Sequence, residues 1–133
     1  MNPRLVALIV TAACTLGWTD ANAATRWQRS PWACNDGARH YTARETRCVV
    51  RRVFHPYGPR VVRQALHVLR CESWDGQEAY PALGPMQFLR STWNTTPYRH
   101  RAATHPVWNV LAARWLWNTT GRGWAPWTCA PAP

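Results

Sequence analysis

The sequence predicts a small, mainly α-helical domain with a short hairpin or loop forming a cleft, stabilised by disulfides. Apolar residues recur at helical spacing over residues 60–72 and 106–118, which predicts the two main helices. Four cysteines follow the first 23 residues, a number typical of two disulfides in an exported domain. Residues 74–85 interrupt the helical pattern with Gly76, Pro81, Gly84 and Pro85, so a turn or short hairpin is expected there.

The first 23 residues have the pattern of a secretory signal peptide. Arg4 precedes an apolar run over residues 5–16, and Ala21-Asn22-Ala23 is a small-x-small cleavage motif. The run is too short to span a membrane as a helix, and no later segment is long enough. We therefore expect a secreted protein without a transmembrane segment. A lipoprotein anchored at Cys14 is the less favoured alternative, because Thr11 stands where such signals usually carry leucine.

Cleavage after residue 23 leaves about 110 residues, enough for one domain with one core. Cys34, Cys48, Cys71 and Cys129 remain, and four cysteines allow three connectivities. We expect Cys34–Cys48 to close an N-terminal loop and Cys71–Cys129 to join the helix over 60–72 to the tail. The four are scattered and include no CxxC pair, so we expect no metal site and no cofactor.

The net charge of +10 comes from arginine alone, since the chain contains no lysine. Such a charge attracts polyanions, and its spread along the chain does not single out one binding helix. The polyanions available outside a cell are wall polymers, anionic lipid surfaces and stray nucleic acid. The export signal argues against a nucleic-acid-binding function. Anionic cell-wall polymers are the expected partners, and binding to an anionic membrane surface is an alternative.

Residues 24–57 are predicted to form a loop-rich, basic N-terminal extension that contains Cys34 and Cys48. Prolines and glycines are frequent there and apolar periodicity is weak. The run over 43–54 fits either a short helix or a strand. The domain proper is expected over residues 58–133, with a further short helix over 87–93 between its two main helices.

Glu72 is a candidate acid at the end of the first main helix. It lies one turn beyond Val68 and Leu69, on their apolar side, and at the negative end of the helix dipole. Both surroundings disfavour the charged carboxylate, which is what a general acid requires. The alternative is a surface glutamate paired with Arg70 or Arg90.

Glu72 also belongs to an ordered set of short motifs: RCES at 70–73, GPMQF at 84–88, STW at 91–93, NVLAARWLW at 109–117 and GWAPWTC at 123–129. This set resembles the transglycosylase-like domain of actinobacterial peptidoglycan-cleaving proteins, of which resuscitation-promoting factors are members. The resemblance covers roughly residues 58–129. It implies a compact lysozyme-like fold that cleaves the β-1,4 glycosidic bond between the amino sugars of peptidoglycan.

The resemblance also implies roles for individual residues. Glu72 matches the single catalytic glutamate, and Gln87 matches a glutamine that lines the cleft. Thr92 and Trp93 match residues at the cleft wall. Cys71 and Cys129 match the cysteines that bridge the first helix to the tail.

Two positions depart from the family pattern: Trp74 replaces a usual glycine, and Pro85 replaces a usual apolar residue such as leucine. Pro85 removes a backbone donor that the cleft would otherwise offer.

Trp74, together with Trp124 and Trp127, is predicted in a turn near the cleft or tail, where aromatic faces can stack on sugars. Trp108 and Trp115 lie at core spacing in the last helix and are expected to pack.

A single acid suffices when the substrate assists the reaction. Asp75 and Glu78 are the nearby candidates for a second carboxylate, and we interpret both as solvated loop charges. The expected protein is therefore a monomeric, wall-associated lytic transglycosylase or lysozyme-like glycoside hydrolase that acts on peptidoglycan glycan strands. The alternative is a non-catalytic, cationic wall-binding protein on the same fold.

Overall fold

The computed structural model describes residues 26, 29–35, 37, 40–76 and 82–132. Its four α-helices are α1 (Ala43–Phe54), α2 (Pro59–Ser73), α3 (Arg90–Thr95) and α4 (Pro106–Thr119), with 3-10 turns at Pro31–Cys34 and His55–Tyr57. No strand occurs in the described ranges, where Leu83 and Phe88 form an isolated antiparallel bridge. The mainly α-helical class is confirmed.

Some predicted features lie outside the described residues: the signal peptide over 1–23, Cys14, Pro81 and Glu78. Among the helices that the structure does describe, none combines the length and the apolar character needed to cross a bilayer.

Helix α1 lies at the centre of the fold and contacts both α2 and α4. A capping box starts it: the Thr42 hydroxyl accepts from the Glu45 N–H at 3.2 Å, and the Glu45 carboxylate accepts from the Thr42 N–H at 2.6 Å. Its buried face consists of Thr46, Val49, Val50, Val53 and Phe54.

Residues 43–54, for which the sequence allowed a short helix or a strand, form the helix α1 inside a segment predicted to be loop-rich. The buried residues of α1 follow the spacing of one helical face. Four arginines stand between them in the sequence and lower the mean hydropathy of the segment, so that the apolar face is hard to recognise: Arg44, Arg47, Arg51 and Arg52. The buried residues of α1 form one core with those of α2 and α4.

Helices α2 and α4 both begin with a proline at the first turn, where the missing N–H breaks no helical bond. Both occupy the predicted positions. The buried face of α4 differs from the predicted one, however: Val107, Asn109, Val110, Ala112, Ala113 and Trp117 are buried, whereas Trp108, Leu111 and Trp115 are half-buried. Because α4 is apolar around most of its circumference, periodicity alone did not determine which side faces the core.

Both expected disulfides are present. Cys34–Cys48 joins the first 3-10 turn to α1, and Cys71–Cys129 joins the end of α2 to the C-terminal tail. The tail returns Trp124 and Trp127 to the core, where they are 7% and 6% exposed and pack against each other at 5.3 Å between ring centroids. These two rings, predicted in turns near the cleft or tail, are core side chains in this structure.

Candidate active site

Glu72 is half-buried in the last turn of α2, with one carboxylate oxygen held by the backbone. The N–H of Cys129 donates to its Oε1 at 2.9 Å. Its Oε2 has no hydrogen-bond partner among the described residues. Arg70 and Arg90 are both described and neither forms a salt bridge with Glu72, so the ion-pair alternative does not describe this carboxylate.

The disulfide explains why the tail reaches Glu72. Cys71 precedes Glu72 in the chain and is bonded to Cys129, the residue that supplies the N–H donor. The covalent bond and the hydrogen bond thus act on one tail residue, 57 positions away in sequence from Glu72. This pair of contacts fixes the carboxylate relative to the helix end.

Trp74 ends α2 with its side chain in solvent, and it is 65% exposed. Its backbone is left-handed (φ 49°, ψ 55°), and its N–H donates to the Arg70 carbonyl at 3.0 Å. A left-handed residue at a helix C-terminus is most often glycine, the residue that the resemblance leads us to expect here. A bulky residue in this conformation costs roughly 1–2 kcal/mol. The structure therefore presents a large aromatic surface two residues after the acid, at a conformational cost.

A tight turn over residues 83–88 carries Gln87. The Gln87 N–H donates to the Gly84 carbonyl at 3.0 Å, and Leu83 and Phe88 exchange two backbone hydrogen bonds. Pro85 is the second residue of the turn over 84–87, a position that the fixed φ of proline favours. Pro85 is buried rather than lining an open surface, so its replacement of an apolar residue fits the turn. A Cβ on Gly84 would lie 2.4 Å from the Ala103 carbonyl oxygen, which requires glycine there.

Three buried side chains fasten this turn to the rest of the fold. The Ser73 hydroxyl donates to the Pro85 carbonyl at 2.5 Å. Asn109 Oδ1 accepts from the Met86 N–H at 2.7 Å, and the Trp127 indole N–H donates to the Met86 carbonyl at 3.0 Å. Because Ser73 directly follows Glu72, the turn that carries Gln87 is tied to the end of the helix that carries the acid.

Sequence reasoning missed the roles of Ser73 and Asn109. Asn109 is fully buried, and its Nδ2 also donates to the carbonyls of Leu83 (2.9 Å) and Ala103 (2.7 Å). The available signal was a lone amide in an otherwise apolar first half of α4, since a buried amide needs partners. Ser73 offered a weaker signal, as the small polar residue after the acid in RCES.

The other predicted substrate-binding residues have different surroundings. The Gln87 side chain is half-buried, and its Nε2 donates to the Gly84 carbonyl at 2.8 Å. Thr92 is half-buried on α3. Trp93 is 1% exposed and packs edge-on against Phe88 at 5.6 Å between ring centroids, so its ring lies in the core behind the turn.

Asp75 is not the solvated loop charge that we expected. Its carboxylate forms a salt bridge of 2.5 Å with Arg47 on α1 and is only 17% exposed. The bridge ties the segment after Trp74 to the central helix. Asp75 is therefore committed to a structural contact, which argues against its use as a second carboxylate.

The site chemistry is that of one carboxylate with neighbouring polar and aromatic groups. Within the described ranges, no group of three or more His, Cys, Asp or Glu side chains is placed to hold a metal ion. Four surface cavities of about 410 to 540 Å³ are lined by described residues, and Glu72 lines none of these four. The sugar-binding cleft stays a prediction.

In comparisons with family models, curated proteins and solved structures, no family model, no curated protein and no solved structure matches the chain. The family resemblance therefore rests on the motif residues themselves.

Proposed function

We propose that the protein is a secreted peptidoglycan-cleaving enzyme in which Glu72 is the general acid. The observation that carries the proposal is the state of this carboxylate: Oε1 accepts the Cys129 N–H, whereas Oε2 has no partner among the described residues. A carboxyl group that is fixed in place and free of an ion pair can give a proton to a bound ligand. The motif resemblance supplies the substrate class, the β-1,4 bond between amino sugars.

The hydrogen bond suggests which oxygen carries the acidic proton. An oxygen that accepts an N–H bond acts as the carbonyl oxygen of a protonated carboxyl group, so the proton belongs on Oε2. Oε2–H then protonates the bridging oxygen of the glycosidic bond, and the C1–O bond breaks. The resulting carboxylate takes a proton either from the sugar's own 6-hydroxyl, giving an anhydro product, or from water, giving hydrolysis.

Trp74 is the proposed stacking surface for a sugar ring next to the acid. Its exposed indole offers an apolar face of the kind that carbohydrates bind. A strained conformation held at an exposed aromatic residue is a feature found at functional sites. Gln87 and Thr92 are proposed to contact substrate from the turn and from α3.

The test measures release of soluble muropeptides from purified peptidoglycan by the wild type and by Glu72→Gln. Glutamine keeps the shape and the Cys129 contact but has no acidic proton, so we expect activity to fall at least about a hundredfold. Asp75→Asn is the matched control at a carboxylate bound to Arg47, and it should retain the chemistry. Equal release by wild type and Glu72→Gln would overturn the proposal.

Mass spectrometry of the products assigns the second step. A lytic transglycosylase yields anhydro ends, which lack one water relative to the reducing ends that a hydrolase yields. Either product supports Glu72 as the acid, and the two differ only in which nucleophile its carboxylate activates.

A non-catalytic wall-binding protein is the second candidate, and Trp74 favours it, because the exposed ring in a left-handed conformation departs from the family pattern two residues after Glu72. On this alternative both the wild type and Glu72→Gln would sediment with peptidoglycan and neither would release product.

A further inference from the structure

A strongly basic groove lies at the start of α2, away from Glu72. Two surface cavities of about 540 and 410 Å³ share Arg51 and His55 as walls. The larger is completed by Arg29, Arg52 and Pro56, and the smaller by Gly58, Pro59, Val62, Arg63 and Leu66. We call this continuous surface the basic groove.

The helix geometry explains how the basic groove forms. Arg51 and His55 are four residues apart, so they project from the same side at the end of α1. On α2, Val62, Arg63 and Leu66 lie three, four and seven positions after Pro59 and share one face. The packing of α1 against α2 brings these two faces together, because a short 3-10 turn connects the helices.

No described acidic side chain neutralises the charge of the basic groove. Of the acidic residues that the structure describes, none lines either cavity. The described acids are committed elsewhere: Glu45 caps α1, Glu72 accepts from Cys129 and Asp75 pairs with Arg47. Arg51 and Arg63 are exposed and have no side-chain partner among the described residues. Clustered like charges repel one another, and a bound anion removes this repulsion.

One arginine of the groove is already fixed. Arg52 donates to the Ser30 carbonyl at 2.6 Å, which holds the chain next to Arg29 against the end of α1. Arg52 therefore sets one wall, while Arg29, Arg51 and Arg63 remain available to a ligand. Several guanidinium groups along one surface suit a ligand with repeated phosphates, because each can bind a phosphate through two parallel N–H bonds.

We propose that the basic groove binds a phosphodiester-linked cell-wall polymer. The arginines contact successive phosphates, and the apolar wall of Val62, Leu66 and Pro59 contacts the carbon units between them. Among the residues that the structure describes, no Trp, Tyr or Phe lines the groove, whereas stacking of nucleic-acid bases depends mainly on such rings. The exposed large hydrophobic side chains among the described residues are Trp74 and Leu89, and neither lines the two cavities, so no described side chain gives the groove an apolar anchor for a bilayer. This binding is independent of cleavage by Glu72.

The test measures the affinity of the full chain for poly(glycerol phosphate) of defined length at several salt concentrations. Arg51→Gln/Arg63→Gln removes two charges from the groove. Arg90→Gln/Arg99→Gln removes two from exposed arginines outside it, which also have no side-chain partner among the described residues. We expect the groove pair to weaken binding roughly tenfold or more and to flatten the salt dependence, and the control pair to weaken binding less than about threefold.

Glu72→Gln should bind the polymer as tightly as the wild type, which separates this proposal from the proposed enzymatic function. If the two pairs of arginine substitutions weaken polymer binding equally, net charge alone drives the association, and the proposal that the basic groove is the binding site is overturned. Tighter binding of single-stranded DNA of equal charge, or of anionic phospholipid vesicles, would assign the groove to another partner. Melting curves check that both pairs remain folded, as expected for exposed side chains.

Discussion

Cys129 holds Glu72 through its backbone and is itself held by Cys71, the residue that precedes Glu72 in the chain. The acid therefore has a second support besides its own helix. Loss of the disulfide would free the chain beyond the buried Trp127 ring, and with it the Cys129 N–H donor. The position of the carboxylate is thus coupled to the oxidation state of one cysteine pair.

The first prediction concerns this coupling. Cys71→Ala/Cys129→Ala should lose about 4 kcal/mol of unfolding free energy, because the bridge closes a loop of 58 residues. Activity under conditions where the variant is still folded should also fall strongly, since the Glu72 oxygen loses its donor. Denaturant titration and the muropeptide assay measure the two effects.

Cys34→Ala/Cys48→Ala is the matched control. Its loop of 14 residues predicts a loss of about 3 kcal/mol, with no change at Glu72. Comparable loss of activity per folded molecule in both variants would contradict the coupling.

The second prediction concerns Trp74. Trp74→Gly should raise the unfolding free energy by up to about 1 kcal/mol, because glycine adopts the left-handed C-terminal position without strain. The same change removes the exposed ring, so the KM for glycan should rise. Trp74→Tyr keeps an aromatic face and should keep most of the affinity. A Trp74→Gly variant with unchanged KM would remove Trp74 from the substrate site.

The third prediction concerns Asn109. Asn109→Leu leaves the Met86 N–H and the Leu83 and Ala103 carbonyls without their buried partner, and should cost about 3 kcal/mol or more. Loosening of the turn over 83–88 should lower activity in the protein that remains folded. Asn118→Ala, at an exposed position on the same helix, should cost less than about 1 kcal/mol. Similar losses in the two variants would show that the buried network contributes little.

The fourth prediction concerns the pH dependence of stability. His105 caps α4 through Nδ1, which accepts the Val107 N–H at 3.3 Å, and burial lowers the pKa of His105 below its ordinary value of 6.5. The rings of Trp32 and Tyr41 pack against the imidazole, and Tyr41, whose pKa is raised by burial, is uncharged in this range. No acidic partner among the described residues favours the imidazolium.

The sign follows from these contacts. As pH falls, the unfolded chain takes up the proton first, so the stability from neutral His105 is present above 6.5 and is lost as pH falls through the lower folded pKa. His105→Asn keeps a cap that does not titrate and should reduce this acid destabilisation. To test for the reduced acid destabilisation, the melting temperatures of the wild type and of His105→Asn are measured from about pH 5 to about pH 8, on both sides of the ordinary histidine pKa. Parallel curves would contradict the assignment.

Much of the helical framework could be predicted from the sequence, because α2 and α4 carry proline starts and dense apolar residues. The expected disulfide pairing is the observed one, although the four cysteine positions alone allow three connectivities. Helix α1 could not be predicted with the same clarity, since four arginines on its exposed side lowered the apolar signal that Val49, Val50 and Val53 provide. Local composition predicts a loop wherever charged residues are interspersed among the apolar residues of a helical face.

The site was predicted unevenly for a related reason. Glu72 could be singled out because it lies in the short motif RCES, and Trp74 because it directly follows that motif at the helix end, where the family pattern has glycine. The contacts from Asn109, Trp127 and Cys129 depend on how distant segments pack, which no local pattern records. Trp124 and Trp127 were hardest to interpret, because a tryptophan in a turn is equally suited to a sugar or to a core.

The hydrogen bond from the Cys129 N–H to the Glu72 carboxylate also determines when the site is completed during folding. In a chain whose Cys71–Cys129 bridge is reduced, contacts within α1 and α2 join residues near in sequence and form early, whereas the Glu72 contact closes 57 residues and must await docking of the tail. A partly folded molecule with its helices already packed would thus still lack the positioned acid. When the reduced chain refolds under oxidising conditions, recovery of activity should therefore lag behind recovery of helical signal, and the delay would report docking of the tail together with closure of the Cys71–Cys129 bridge.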